Sequence, residues 1–92
     1  MIVRIVGEGQ YRVPDSEREP LNQLDDGIVA AVSANDEAKF RADYAALVNL
    51  VRTRGTALPA DELATSDVAL PPADLTFAEA KNVFLGQGLI PN

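Results

Sequence analysis

The chain contains no cysteine, no histidine and no tryptophan, and each absence removes a class of chemistry. Without cysteine there is neither a disulfide staple nor a thiolate nucleophile, which excludes a disulfide-rich secreted scaffold. Without histidine the common zinc and iron ligand sets and the usual neutral-pH base are missing, so any metal would be a hard cation held by carboxylates. Positive charge is scarce as well: eight Lys and Arg stand against fourteen Asp and Glu, for a formal net charge of -6. Binding to nucleic acid or to anionic lipid depends on clustered Lys and Arg, and neither is expected. No apolar run approaches the ~20 residues that cross a bilayer, and Met1 leads into a strand-like run rather than a basic and then apolar leader. Direct membrane insertion is not expected, and the expected location is the cytoplasm.

The 92 residues fit one small domain, residues 1 to 92, with a radius of gyration of about 12 Å by length scaling. A domain of this size buries only a little over ~60% of its unfolded surface, so its stability is modest unless further contacts add burial. The run Met1-Ile-Val-Arg-Ile-Val-Gly-Glu-Gly-Gln-Tyr-Arg-Val13 reads as a β-hairpin, because two β-branched stretches flank glycines that can reverse the chain. Ile2, Arg4 and Val6 alternate with Val3 and Ile5, and Gln10 and Arg12 with Tyr11 and Val13, so one face is buried and the other wet. Arg4 and Arg12 are read as solvated residues of the wet face. An isolated hairpin is marginal in water and its open edges invite pairing. A homodimer is the expected answer to that need, with covering by Val68 to Leu70 of the same chain as the alternative.

Past Pro14 the period changes from 2 to 3.6. Pro14-Asp15-Ser16 offers capping side chains, after which Leu21, Leu24, Ile28, Ala31 and Val32 recur at helical spacing. Asn35 suits a left-handed cap and Asp36 an N-cap, which makes a tight joint between two helices. From Asp36 to Arg54, the residues Phe40, Tyr44, Leu47, Val48 and Val51 form one apolar stripe, with Glu37–Arg41 and Lys39–Asp43 paired four apart on the wet side. Gly55 is expected to end that helix as its C′ residue. Leu58 to Leu63 is expected to make one helical turn. Thr76-Phe77-Ala78-Glu79 matches a capping box opening a short helix, with Gly86 and Gly88 closing it. The expected fold class is α+β: an N-terminal β-hairpin on an antiparallel two-helix hairpin, then a Pro-rich segment in which Val68 to Leu70 is either a short edge strand or an extended arm, then a short C-terminal helix.

Candidate chemistry is thin. Gly7-Glu8-Gly9 joins two strands rather than a strand and a helix N-terminus, so it is not a phosphate loop. Asp25 and Asp26 are adjacent in a helix and point about 100° apart, which prevents them from sharing a proton or gripping one metal. The serines have no histidine to activate them. No catalytic, cofactor-binding or metal residues are assigned, and an enzyme is not expected. The acidic balance is concentrated between Asp15 and Asp36, where Asp15, Glu17, Glu19, Asp25, Asp26 and Asp36 face a single cation, Arg18.

Whole segments carry a further signal. Met1-Ile-Val-Arg-Ile with Gly7 to Arg12, Leu21-Asn-Gln-Leu-Asp-Asp26, Arg54-Gly-Thr-Ala-Leu-Pro59 with Asp61-Glu62-Leu63, and Ser66-Asp-Val-Ala-Leu-Pro-Pro72 with Gly88-Leu-Ile-Pro91 together resemble the PspA-associated family PspAA, in the family's order. The resemblance implies a small cytoplasmic protein that acts beside PspA, a coiled-coil protein of the inner membrane surface, in the phage-shock (envelope-stress) response. It implies no catalytic residues. On this reading the chain is a non-catalytic adaptor, recruited to the membrane surface through a PspA-like partner. The expected contact surface is Glu8, Gln10 and Arg12 of the hairpin with Asp25 and Asp26 of the first helix, all assumed to reach solvent. The alternative is a domain binding a small ligand, or a metal ion on carboxylates.

Overall fold

The architecture is that of a computed structural model, which describes residues 1–62, 64–84 and 88–90. β1 (Ile2–Ile5) and β2 (Gly9–Arg12) form the expected antiparallel hairpin, with Val3 opposite Tyr11 and Arg4 opposite Gln10. Gly7 and Gly9 take positive φ values of 82° and 143° in the reversal, where a Cβ would be strained. A 3-10 turn over Asp15–Glu17 leads into α1 (Arg18–Ser33), and Asn35 at φ 59° joins α1 to α2 (Glu37–Arg54). Asp36 caps α2 through its side chain, which accepts from the Lys39 N–H at 3.1 Å. Neither the 3-10 turn nor α1 has a side-chain cap, so the capping expected from Asp15 and Ser16 is replaced by a tightened first turn.

Two strands extend the hairpin into a four-stranded mixed sheet of order β3-β2-β1-β4. β3 (Thr56–Ala57) runs antiparallel to β2, and β4 (Val68–Leu70) runs parallel to β1, with Arg4 opposite Ala69 and Ile5 opposite Leu70. Of the two readings of Val68 to Leu70, edge strand or extended arm, the strand is the one present, and both hairpin edges are paired within the chain. Val3, Ile5, Val13, Val68 and Leu70 are buried under the helices. They meet Leu21, Ile28 and Ala31 of α1 and Phe40, Leu47, Val48 and Val51 of α2 in one core. Full burial of each such aliphatic side chain contributes about 1.5 to 3 kcal/mol.

α3 (Phe77–Val83) opens on the full capping box, Thr76 with Glu79. Its Phe77 and the following Phe84 join Phe40 and Tyr44 in a ring cluster with centroid separations of 5.5 to 6.4 Å. The Tyr44 hydroxyl donates to the Pro71 carbonyl at 2.7 Å, which fixes the Pro-rich segment against α2. Gly55 does end α2, but at φ -88° and ψ 164°. A Cβ there would lie 2.5 Å from the Val51 carbonyl oxygen and 3.1 Å from the Tyr11 Cβ, so close approach, not left-handed backbone, requires glycine. Pro59 to Glu62 makes a single turn, Glu62 N–H to Pro59 carbonyl at 3.0 Å, rather than helix. The expectations placed on Leu63, Gly86 and the terminal Pro91-Asn92 lie outside the described residues.

Candidate functional site

Three of the five candidate residues, Glu8, Gln10 and Arg12, stand on the hairpin, and each is engaged within the chain. Glu8, in the hairpin reversal, accepts from the Arg52 Nε at 2.8 Å and from the Tyr11 hydroxyl at 2.6 Å, with a second bond from Arg52 Nη2 to its other oxygen. A bidentate guanidinium on a carboxylate is the strongest of the common side-chain pairs. The Arg52 hydrogen bonds, followed by that of Tyr11, lower the Glu8 carboxyl to about 2. The same contact raises the Tyr11 phenol and the Arg52 guanidinium. Glu8 thus ties the hairpin tip to the last turn of α2. Arg52 was legible only as a helix-end cation, since nothing in its sequence neighbourhood points forty-four residues back.

Gln10 and Arg12 lie on the outer face of β2, away from the helices. The Gln10 amide donates to the Ala64 carbonyl at 2.9 Å and to the Ser66 hydroxyl at 2.8 Å, while Arg12 pairs with Glu62 at 3.7 Å. These contacts hold the chain between β3 and β4 as it crosses the outer face of the sheet. At its far end the Asp67 carboxylate accepts from the Ile2 N–H at 2.7 Å. The polar character of Gly7 to Arg12 is accounted for by Arg52 of α2, which takes Glu8, and by this crossing segment, which takes Gln10 and Arg12.

Asp25 departs from expectation. It was placed at the solvent-facing edge of α1, yet it is only 2% exposed. Its two oxygens accept from the successive backbone N–H groups of Leu89, at 3.0 Å, and Ile90, at 2.9 Å. A Cβ on Gly88 would lie 1.9 Å from the same carboxylate, so the tail reaches Asp25 only as glycine. Helix phase explains the burial: Asp25 is four residues after Leu21 and three before Ile28, on the apolar stripe itself. Asp26, one position on, is exposed as expected. The five candidates therefore do not form one surface, and Asp25 is removed from any set that reaches solvent.

The residue next to them that is not engaged is Arg4. It is exposed on the outer face of β1, between Gln10 of β2 and Ala69 of β4. Among the described residues it has no ion-pair partner. A concavity of ≈ 250 Å³ beside it is lined by Arg4, Glu8, Gly9, Gln10 and Leu58 to Ala60. A shallower one of ≈ 470 Å³ lies at the hairpin tip, between Val6 to Glu8 and Pro72 to Asp74. A third, of ≈ 290 Å³, lies between Phe40, Arg41, Tyr44 and Ala45 of α2 and Ala73 to Leu75. Among the described residues no group of three or more carboxylates is gathered to hold a metal ion, and no helix is long and apolar enough to cross a membrane.

Fold and contacts together define a small α+β scaffold in which Glu8, Gln10 and Arg12 of the hairpin brace α2 and the crossing segment, and Asp25 of α1 holds the tail. The chain belongs to the PspAA family, described as PspA-associated protein, whose model matches residues 1–92, the whole length. Comparison with the curated proteins and with the solved structures found no match.

Proposed function

We propose that this domain is a non-catalytic adaptor that binds a PspA-like coiled-coil protein in the phage-shock (envelope-stress) response, in the cytoplasm and at the inner membrane surface through that partner. The observation that carries the reading is the family match along the whole chain, whose description names association with PspA. The fold is in keeping with such a role. The hairpin and the helical hairpin are braced by the Glu8–Arg52 pair, and the crossing segment is pinned by Gln10, so outer-face side chains are held on a stiff frame. A preorganised surface loses less freedom on association. Asp26 and Glu19 keep the solvated acidic face of α1, whose field acts on encounter rates more than on final affinity.

Titration calorimetry of the full chain against the PspA homologue of the same genome tests the proposal. Saturable binding is expected, together with co-purification from source cells that increases under envelope stress. Absence of binding at high micromolar concentrations of both proteins overturns the adaptor reading.

A further inference from the structure

The outer face of the sheet carries an arrangement that folding does not use. Helices cover the inner face, and the crossing segment covers the outer face over Ile2 and Gln10, which its contacts with Asp67, Ala64 and Ser66 hold down. It leaves Arg4, Val6 and Ala69 exposed. Val6 is 47% exposed, the most exposed of the large apolar side chains among the described residues. Pro72 and Ala73 continue the apolar surface past Val6, and Leu58 and Pro59 border Arg4 on the other side.

Arg4, Arg54 and Lys81 are the cations with no acidic partner among the described residues; Lys81 sits over the Phe77 ring, Arg54 ends α2, and Arg4 alone of the three lies on a strand, beside exposed Val6. The nearest carboxylate on the same concavity, Glu8, is already gripped by Arg52 and Tyr11. Arg12, on the neighbouring strand and the same face, is paired with Glu62. An arginine with its five donors unspent, set among apolar side chains on a stiff sheet, matches the composition of interface centres, where Arg is enriched and each fork takes one carboxylate.

We propose that the outer sheet face centred on Arg4 and Val6 is the surface on which the partner docks, and that it receives an acidic segment in which one carboxylate is flanked by apolar side chains. The inference rests on the adaptor reading and names the part of the domain that carries it. The carboxylate takes the Arg4 fork, and the apolar neighbours cover Val6, Ala69 and Pro72. Covering these residues removes water from around the ion pair, which strengthens it.

The test is a set of calorimetric titrations of the PspA homologue into the wild type, Arg4→Glu, Arg4→Lys and Ala69→Glu. Arg4 and Ala69 are exposed, so circular dichroism spectra and melting temperatures of the variants are expected to match the wild type. Arg4→Glu and Ala69→Glu should each weaken binding by ~10-fold or more, with Arg4→Lys in between because lysine keeps the charge and loses the fork. If the wild type binds and both glutamate variants bind equally well, this surface is wrong while the adaptor reading stands. If the wild type does not bind at all, both fall. Sedimentation of the same proteins covers the remaining occupant: a wild-type dimer that Arg4→Glu dissociates would assign the face to a second copy of this chain and overturn the proposal.

Discussion

A single buried carboxylate decides how the end of the described chain is held. Among the described residues Asp25 forms no ion pair, and its two oxygens accept from the N–H groups of Leu89 and Ile90. Removing it leaves two buried donors without an acceptor, and each such loss costs about 1 to 3 kcal/mol. Asp25→Ala is therefore expected to lower the stability measured in urea by at least ~2 kcal/mol, and Gly88→Ala should also destabilise because its Cβ would overlap the carboxylate. A loss under about 0.5 kcal/mol for Asp25→Ala, the range of surface substitutions, would mean that the tail does not depend on it. Glu8 makes a prediction in pH. The Arg52 guanidinium holds its folded carboxyl at about 2, below the ordinary 4.5. The Arg52 contact thus contributes stability that is fully present above the unfolded value and is lost as pH falls toward 2. The stability difference between the wild type and Glu8→Gln should be largest above pH 5 and should shrink steadily through pH 4 and 3. A difference that stays constant over that range would show that the pair contributes nothing. Because the contact is exposed, added salt should reduce it.

Elements differ in how openly they announce themselves. α2 was readable because Phe40, Tyr44, Leu47, Val48 and Val51 repeat without interruption, and all five are buried. Leu47→Ala is accordingly expected to cost ~2 to 5 kcal/mol in chemical denaturation, and a cost below about 1 kcal/mol would place the stripe in solvent. The capping box of α3 was equally local, since Thr76 and Glu79 satisfy each other's backbone donors three residues apart. Thr76→Ala should cost ~0.5 to 2 kcal/mol, with the loss confined to amide exchange in Phe77–Val83 and its contacts. β4 was legible as an extended apolar triplet before two prolines, but its parallel pairing with β1 was not, because register depends on residues sixty positions away. β3 is two exposed residues with no alternation to read, and it exists because Gly55 turns the end of α2 beside Tyr11. The candidate site fared likewise. Asp25 and Asp26 are chemically identical, and only helix phase separates a buried tail clamp from a solvated acid. From sequence Arg4 reads as a solvated residue, because its lack of a partner emerges only once Glu8 is seen to belong to Arg52.

At the scale of the whole molecule, the case for self-association changes with the sheet. A bare hairpin would leave two unpaired edges, and a second copy is one way to close them. Here β3 closes one edge and β4 the other, so the unpaired edges that remain are two and three residues long. The longer of them runs directly into Pro71 and Pro72. Proline lacks the N–H that a ladder requires, and very short edge strands offer a poor template for pairing. Net charge acts in the same direction: at -6, copies of the chain repel one another at moderate ionic strength. The uncovered outer face does not offset this, because Arg4 is a single cation opposed by the like charge of a second, acidic copy. The expected outcome is a monomer in sedimentation equilibrium at high micromolar concentration, at both low and physiological salt. A dimer that strengthens as salt is raised would point to apolar contact through Val6 and Pro72 once repulsion is screened. A dimer that weakens with salt would point to Arg4 meeting the acidic α1 of its partner copy. A monomer under both conditions leaves the outer sheet face open for a different protein, which is the state that an adaptor requires.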